Sequence, residues 1–537
     1  MSEPGGWARA GLVLGLLVSC VEDDPAAVEP SQTSSTTGDS DTSVETSATD
    51  TARQDVVPPG DPPASGGIAI DYVEANQGVG VRIGVAGGPV LVEDRTAPLI
   101  ANRITLIRAF WAVPDDWVPR EIKAVATFYF PDGTTEEQVD TKLVDADSFA
   151  GNLDETFVFG LMEAQTQPGL GYAIELFEVD PAFADPLVTV PPRLPSEGEH
   201  IQVGIEASNQ VMKIVVVPFE YDDGGSCVTT PDTSEATMQL FRDFMFMMNP
   251  VDRLEIELHE PVPWTEPLDG FFELNVFMSE LRFTEKAPPE TYYYGLVDVC
   301  SNGLGGAGGQ AYGIPGDPSV DNAFQRVSAG LSLDPDWSAE TFVHEVGHSQ
   351  GRRHVACTGT EAGSDPSYPI EGGDVGEWGF GVIDFVLRHP TVNKDYMTYC
   401  HPVWVSTWGW NKVYPVIRTL SEWDTQDHHS DPWDGASLLV GVIDPGGTER
   451  WHTVPGRIDT RELRDDPTIE FTIGGRVLAR QGTRVEPLPD GDEIMLVTPL
   501  PTGFDAVDHM VRIEGHERIA IDRAELRLAH HSRSIER

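Results

Sequence analysis

The chain has 537 residues, which is enough for about three domains. Its formal net charge of −52 leaves no basic patch for phosphate groups, so nucleic-acid binding is excluded as a function class. No apolar run reaches about twenty residues, and we therefore predict no transmembrane helix. The excess of carboxylates is consistent with a strongly solvated surface or with Ca²⁺ bound on acidic loops.

The N-terminus has the pattern of a targeting segment. Arg9 precedes a short apolar stretch, residues 11–18, and the motif Leu17-Val18-Ser19-Cys20 follows. It resembles a bacterial lipobox, in which cleavage exposes a cysteine that is then lipidated. We predict a signal peptide over residues 1–20, a lipid anchor at Cys20, and export to the outer membrane or cell surface. Cleavage by an ordinary signal peptidase, followed by secretion, is the alternative.

The next two segments differ in composition. Residues 21–65 are rich in Ser, Thr, Asp, Glu and Pro, and they bury too little apolar surface to offset ordering, which predicts a disordered tether. Residues 66–205 contain strand patterns, of which residues 121–130 are the clearest because apolar side chains alternate along them. Residues 103–113 and 171–179 indicate further strands. A β-sandwich domain is the natural architecture.

Residues 206–425 mix strand and helix patterns. The continuous apolar run Ile214-Val215-Val216-Val217 indicates a strand buried on both faces. A helix is expected to begin at a cap among residues 232–234 and to end near Met248, and a second helix is expected over residues 270–283. Further strands are predicted at 254–258, 292–299 and 325–331. The glycine-rich residues 303–309 are expected to border a cleft ahead of another strand.

A further helix carries the motif H-E-x-x-H-x-x-G-x-x-H, which runs from His344 to His354. Its five fixed positions would coincide by chance on the order of 10⁻⁴ times per chain. Asp336 or Ser338 is the expected helix cap. Residues four apart share a helix face, so His344 and His348 can bind one metal ion. Gly351 permits a left-handed turn that returns His354 as a third ligand.

Three protein ligands leave a fourth zinc position open, which indicates a catalytic rather than a structural zinc site. Zinc lowers the pKa of water and polarises carbonyl groups. Glu345 lies beside the ligand face and would take the proton from that water before passing it to a leaving amine. The motif thus predicts hydrolysis of peptide bonds.

Together with Met397 in the sequence Asp395-Tyr396-Met397-Thr398-Tyr399-Cys400, the motif resembles the metzincin clan of zinc peptidases. The resemblance implies that the three histidines bind zinc, that Glu345 is the general base, and that Met397 forms a turn beneath the metal. It also implies that Tyr399 helps to stabilise the oxyanion, although packing within the turn is the alternative. Residues 206–425 are most similar to bacterial members related to StcE-type mucin-cleaving proteases.

Four cysteines remain after Cys20, and they allow three pairings. If the flanks of the motif and of the Met-turn meet at the metal, as the resemblance implies, Cys357–Cys400 would join them. Cys227–Cys300 is then the remaining pair. Free buried thiols are the alternative. The acidic connecting segment, residues 358–396, is expected either to shape a substrate pocket or to form ordinary solvated surface.

Ser406 is expected to cap a final helix over residues 407–423, and residues 430–537 predict a small β-domain. The expected fold is therefore multidomain α+β, with a metzincin-like α/β catalytic domain flanked by β-sandwich-like domains. The expected function is that of an exported zinc endopeptidase acting on proteins or glycoproteins. Three alternatives remain: an inactive surface adhesin that binds glycoproteins, a gluzincin-like enzyme with a distant Glu ligand, and a latent self-processing enzyme. The oligomeric state and the cleavage specificity are not readable from the sequence.

Overall fold

The computed structural model describes residues 60–85, 87–207, 209–301, 303–304, 307–358, 363–424, 436–489, 492–523 and 526. The predicted signal peptide, Cys20 and residues 21–59 of the predicted tether lie outside these ranges. In the part of the chain that is described, no helix has the length and apolar character needed to cross a membrane. The architecture is a β-rich, multidomain arrangement with four α-helices among the described residues.

The described part of the N-terminal region is β-rich and contains twelve strands. They are β1 Ala69–Asn76, β2 Gly80–Val85, β3 Gly88–Pro89, β4 Leu99–Ile100, β5 Thr105–Ala112, β6 Arg120–Tyr129, β7 Thr135–Val144, β8 Phe157–Leu161, β9 Gly171–Glu178, β10 Arg193–Leu194, β11 Ile201–Gln202 and β12 Ile205–Glu206. One sheet has the order β3-β2-β1-β5-β8, and the second has the order β10-β9-β6-β7 with β11 also paired to β9. β4 and β12 form a separate parallel pair.

The two larger sheets share one core because each turns an apolar face to the other. Alternate side chains of β6 are buried, as the period-two pattern predicts. Phe128 of β6 meets Phe159 of β8 edge to face, with ring centroids 6.4 Å apart. The predicted tether boundary at residue 65 is wrong, since Ala64 is buried and its N–H donates to Leu176 O at 3.0 Å.

The central region combines a mixed sheet with four helices. Its elements are β13 Val211–Asp222, β14 Val228–Thr229, α1 Glu235–Met248, β15 Arg253–Leu258, β16 Val262–Trp264, α2 Phe272–Thr284, β17 Tyr292–Val297, β18 Gly309–Ala311, β19 Val327–Leu331, α3 Pro335–Ser349, β20 Gly379–Phe380, β21 Leu387–Arg388, β22 Lys394–Asp395, β23 Val403–Trp404 and α4 Thr407–Asp424. β13 is parallel to β15, β16 and β17, and β17 is parallel to β19. β18 is antiparallel to β19 and lies at the sheet edge.

The helix caps agree with the predictions at two helices and differ at the third. Ser234 caps α1, and Ser406 Oγ accepts from the Gly409 N–H in the first turn of α4. The expected cap of α3 at Asp336 or Ser338 is wrong, because the helix begins earlier, at Pro335. Asp334 is its cap and accepts from the Trp337 N–H at 3.4 Å. Proline suits the first helical position because its missing N–H is not needed there.

The C-terminal region is a seven-stranded antiparallel sheet. Its strands are β24 Ser437–Ile443, β25 Glu449–Pro455, β26 Arg464–Ile473, β27 Arg476–Pro487, β28 Ile494–Pro499, β29 His509–Glu514 and β30 Glu517–Ile521. They follow the order β25-β24-β28-β27-β26-β29-β30. One face of the sheet packs on the central region, where Leu438 and Met495 share a core with Phe272.

The N-terminal and central regions are joined through the buried Arg103. Its guanidinium donates to Gln77 O at 2.9 Å, to Val251 O at 2.8 Å and to Phe246 O at 2.6 Å. The last of these carbonyls lies in the final turn of α1, where a cation is favoured by the helix dipole. Burial lowers the pKa of Arg103 to about 9. Because this pKa is still above 7, the guanidinium stays charged at neutral pH.

We expect Arg103→Ala to destabilise the protein by about 3 kcal/mol or more, because several buried carbonyls lose a charged donor at once. Equilibrium unfolding in urea is the measurement. Arg253→Ala removes an arginine that is 56% exposed, and a change within about 0.5 kcal/mol is expected for this control. Equal losses in the two variants would contradict a joining role for Arg103.

Candidate metal centre

The first two candidate ligands lie one helical turn apart near the end of α3. His344 and His348 project from the same face, and their ring centroids are 4.9 Å apart. Both side chains are buried, with His348 fully inaccessible to solvent. The spacing of four residues produces this alignment directly, because one turn of an α-helix contains 3.6 residues.

The third candidate ligand depends on how α3 ends. Gly351 adopts a φ of +87°, and its N–H donates to His348 O at 2.8 Å. The Arg352 N–H donates to Gly347 O at 3.0 Å, which completes a Schellman motif. A Cβ at Gly351 would lie only 2.7 Å from Pro315 O, so glycine is required by both conformation and space. The turn brings His354 to 3.1 Å from His348, measured between the Nε2 atoms.

Backbone carbonyl groups orient two of the three imidazole rings. His344 Nδ1 lies 2.8 Å from Tyr396 O, and His348 Nδ1 lies 2.7 Å from Arg352 O. Because a carbonyl can only accept, each Nδ1 carries the proton and each Nε2 keeps its lone pair. One ligand atom from each of the three histidines lies within 4.8 Å of the others. This donor set fits a metal ion, and imidazole nitrogen suits zinc, copper, iron and nickel.

Glu345 lies beside the histidines and against the edge strand β18. Its side chain is buried, and a Cβ on Gly309 would lie 2.6 Å from Glu345 Oε1. Strand β18 can approach the carboxylate this closely only because residue 309 is glycine. The geometry places Glu345 at the wall of a cleft that His344 also lines. The motif predicted the role of Glu345, but the close approach of β18 that Gly309 allows was not predicted.

Met397 packs directly beneath the helix that carries the histidines. It is fully buried, and its sulfur would lie 2.6 Å from a Cβ on Gly347. Gly347 stands between His344 and His348, so its missing side chain opens the space that Met397 fills. The Val355 N–H also donates to Met397 O at 2.9 Å, which joins the Met397 turn to the segment after His354.

A buried ion pair joins the two segments that form the site. Arg352 donates to Asp395 at 2.9 Å, and both side chains are almost inaccessible to solvent. Asp395 Oδ1 also accepts from the Met397 N–H at 3.0 Å, and Asp395 Oδ2 accepts from the hydroxyl of Ser406. One carboxylate thus orients the Met397 turn and the start of α4. Nothing in the local sequence marks this ion pair, because the two residues are 43 positions apart.

Tyr399 projects towards the metal centre from the other side. Its hydroxyl lies 3.0 Å from His354 Nε2, and its ring is 53% exposed. The ring centroid lies 4.7 Å from that of His354. Tyr399 therefore faces the cleft rather than packing inside the turn.

The cleft in front of the histidines has a volume of about 430 Å³. It is bordered on one side by residues 307–309, and on the other by Thr398, Tyr399, His401 and Val403. Trp337 and Glu340 of α3 form a further wall, and Glu340 lies 3.0 Å from His401 Nδ1. Residues 307–309 border the cleft as predicted, whereas Trp337 and Glu340 were not predicted, because their place beside the cleft depends on how the first two turns of α3 pack.

The acidic side chains of the 358–396 segment do not line this cleft among the described residues. Asp374 pairs with Lys394, while Glu377 accepts from the hydroxyl of Thr407 at 3.1 Å. Trp378 packs against Phe149 of the N-terminal region. The prediction that this segment shapes a substrate pocket is therefore wrong for Asp374, Glu377 and Trp378, which do not line the cleft. The carboxylates of Asp374 and Glu377 are used instead in contacts within the central region.

Both predicted disulfides are present. Cys357–Cys400 joins the segment after His354 to the segment after Met397, with Cα atoms 6.2 Å apart. Cys227–Cys300 closes a second link across the central region, with Cα atoms 5.9 Å apart. The alternative of free buried thiols is therefore wrong. Paired cysteines are typical of proteins in oxidising compartments outside the cytosol.

Comparisons with known proteins do not assign a family. No family model matches the sequence, and no curated protein matches it. Among solved structures, the chain is similar to a calcium binding mutant of Bacteroides uniformis beta-glucuronidase 2. That alignment has 11% identity and a TM-score of 0.13, and it covers 39% of this chain and 24% of that one.

Two further structures are similarly remote. Bacteroides uniformis beta-glucuronidase 2 covalently bound to cyclophellitol-6-carboxylate aziridine has 9% identity and a TM-score of 0.13, with 79% of this chain and 60% of that chain covered. Parabacteroides merdae beta-glucuronidase with glycerol in its active site has 10% identity and a TM-score of 0.11, with 79% and 62% covered. The chain spans less than two thirds of each of these proteins. TM-scores this low carry no argument about fold or activity.

We expect Gly347→Ala to weaken metal binding and stability, although alanine is the better helix former by about 1 kcal/mol. The added methyl group would displace Met397 beneath the histidines, and such overpacking costs about 1–3 kcal/mol. Thermal unfolding and zinc affinity are the measurements. Gly270→Ala is the matched control, because no atom lies within 4 Å of the position that its added methyl group would take. Stabilisation by Gly347→Ala would contradict the close contact.

Arg352→Met should lower the free energy of unfolding by about 3–5 kcal/mol, because it leaves the buried Asp395 carboxylate without its cation. The neighbouring Arg353 is exposed, and Arg353→Met should change the free energy by less than about 0.5 kcal/mol. Urea unfolding of both variants provides the comparison. Similar values for the two variants would rule out the ion pair as a stabilising link.

Proposed function

We propose that this protein is an exported, zinc-dependent endopeptidase of the metzincin type. The observation that carries the proposal is the convergence of His344, His348 and His354 beside Glu345, with Met397 packed beneath them. A structural zinc site would be closed by a fourth protein ligand and would not require an adjacent carboxylate facing a cleft. Three imidazoles beside an acid at an open cleft support a hydrolytic site instead.

The residues of the chain would divide the chemistry between them. The three histidines would hold zinc, which supplies a Lewis acid that polarises a carbonyl group and acidifies water. Glu345 is positioned to accept a proton from water and to return it to the amine that leaves. The hydroxyl of Tyr399 faces the same space and can donate to the oxygen on which negative charge develops.

The cleft suits an extended peptide. Strand β18 is the edge of its sheet in the described structure, and Gly308 and Gly309 border the cleft directly. An edge strand offers main-chain N–H and C=O groups to which a peptide can add as a further strand. The small side chains there leave room for the approach. We therefore propose a protein or glycoprotein substrate that is bound mainly through its backbone.

The place of action proposed is outside the cytosol. The two disulfides support an oxidising compartment. The lipobox-like sequence that ends at Cys20 supports a lipid anchor after export. The only membrane contact proposed is this anchor, so the proposed substrates are proteins at the cell surface.

Glu345→Gln should retain one zinc ion per chain while proteolysis falls by about 10²–10⁴-fold, because the variant keeps the ligands and loses the proton acceptor. His354→Ala should lose both zinc and activity. Zinc content by elemental analysis, together with cleavage of casein and of a mucin-type glycoprotein, provides the test. Each variant is compared with the wild type at equal folded fraction.

Other results would point elsewhere. Zinc and activity retained in His354→Ala would favour a third ligand from a distant Glu, as in a gluzincin-like site. Glycoprotein binding that survives Glu345→Gln, with no cleavage by the wild-type protein, would favour the adhesin. Wild-type protein that binds no zinc would overturn the proposal entirely.

A further inference from the structure

Glu340 is a charged side chain at the cleft that the chemistry proposed for Glu345 does not use. It lies on α3 one helical turn before His344, and both residues line the cleft. Residues four apart share a helix face, and one turn advances about 5.4 Å along the helix axis. A long substrate side chain that enters beside the scissile bond can therefore reach the carboxylate of Glu340.

The carboxylate of Glu340 has one hydrogen-bond partner among the described residues. Its Oε2 lies 3.0 Å from Nδ1 of His401. A neutral imidazole can donate from Nδ1, so this bond does not require a positive charge on the ring. The other oxygen, Oε1, has no partner in the described part of the chain, yet it is not cut off from solvent, since the side chain is 25% exposed. A group in the cleft can thus still bind to Oε1.

The surroundings of Glu340 supply no lysine or arginine, because none lines the cleft among the described residues. Burial raises the pKa of Glu340 above its ordinary value, His401 opposes that shift, and the exposed Asp336 adds to it. An apolar group placed over Glu340 would remove water from the carboxylate without compensation, whereas a cation would offset that loss. The charges around Glu340 therefore favour a cationic group.

The indole ring of Trp337 forms the cleft wall next to Glu340. The two residues are three apart on α3, which makes them neighbours on its surface. A Cβ on Gly308 would lie 2.4 Å from this ring, so the ring packs directly against the backbone on the opposite side of the cleft. A ring held in this way can cover the methylene stem of a basic side chain, and its face attracts a cation.

We propose that Glu340 and Trp337 make the cleft select an arginine or lysine side chain on the substrate residue next to the scissile bond. This inference rests on the proposed peptidase function, and it adds selection of a side chain to binding through the backbone. His401 engages Oε2 and leaves Oε1 for the substrate cation. A short side chain would not span the turn from His344 to Glu340, whereas arginine and lysine can.

The test maps the bonds that zinc-loaded wild-type protein cleaves in casein. Mass spectrometry of the fragments gives the residues on both sides of each cut. We expect arginine and lysine on one side of the cut at least about fivefold more often than their abundance in casein predicts. Glu340→Gln should reduce this enrichment to less than about twofold, because glutamine keeps the size and can accept from His401 but carries no charge.

Asp336→Asn is the matched control. It removes a carboxylate from the same helix, but Asp336 is exposed and does not line the cleft. Solvent and salt screen such a charge, so the enrichment should stay within about twofold of the wild-type value. Each enrichment is a ratio within one digest, and differences in folded fraction between variants therefore cancel.

Binding gives a second measurement that needs no catalysis. Zinc-loaded protein with Glu345→Gln is titrated by calorimetry with acetyl-Ala-Ala-Arg-Ala-Ala-amide and with its citrulline analogue, which is neutral and has nearly the same shape. The arginine peptide should bind at least about fivefold more tightly. Adding Glu340→Gln should bring the two affinities within about twofold of each other.

The outcomes separate this inference from the proposed function. Casein cleavage without enrichment, or an equal loss of enrichment in Glu340→Gln and Asp336→Asn, would overturn selection by Glu340 and leave the proposed peptidase intact. No casein cleavage by the wild type, with a preference for the arginine peptide that depends on Glu340, would overturn the peptidase and support a cleft that binds basic side chains. No cleavage together with equal binding of the two peptides would overturn both.

Discussion

The candidate metal site depends on bringing three imidazole nitrogens to one point, which a single helix cannot do. The helix supplies two of them, and the third must return from beyond its end. The left-handed Gly351 makes that return possible, and carbonyl groups behind the rings fix the direction of His344 and His348. Since one of these carbonyls belongs to Tyr396, α3 and the turn around Met397 must keep fixed positions relative to each other.

Contacts between buried charged groups and around the buried Met397 sulfur maintain these relative positions, because solvent weakens buried contacts less. Arg352 and Asp395 pair beneath the site, Met397 fills the space left by Gly347, and a disulfide joins Cys357 to Cys400. These contacts link the end of α3 and the chain that follows it to the chain around the Met397 turn. These contacts fix the positions of the donor atoms, as a precise metal site requires.

The sequence predicted those features that are determined locally. Helical spacing aligned His344 with His348, glycine marked the turn at 351, and period-two patterning located β6. The Arg352–Asp395 pair escaped prediction because its partners are remote in sequence and have no repeating pattern. Residues 307–309 border the cleft as predicted, but its walls at Trp337 and Glu340 and the shared cores between regions were not predicted, since they arise only when separate segments pack. The start of α3 was misplaced because two acceptable caps followed the true one, Asp334.

Anomalous diffraction at the zinc absorption edge, on crystals grown with stoichiometric zinc, tests the central claim most directly. The account predicts one peak located about 2.0–2.1 Å from Nε2 of His344, His348 and His354, with Glu345 outside the coordination sphere. A peak bound by only two of these histidines and a remote carboxylate would contradict the proposed ligand set. The absence of any peak at the three histidines would contradict the metal centre itself.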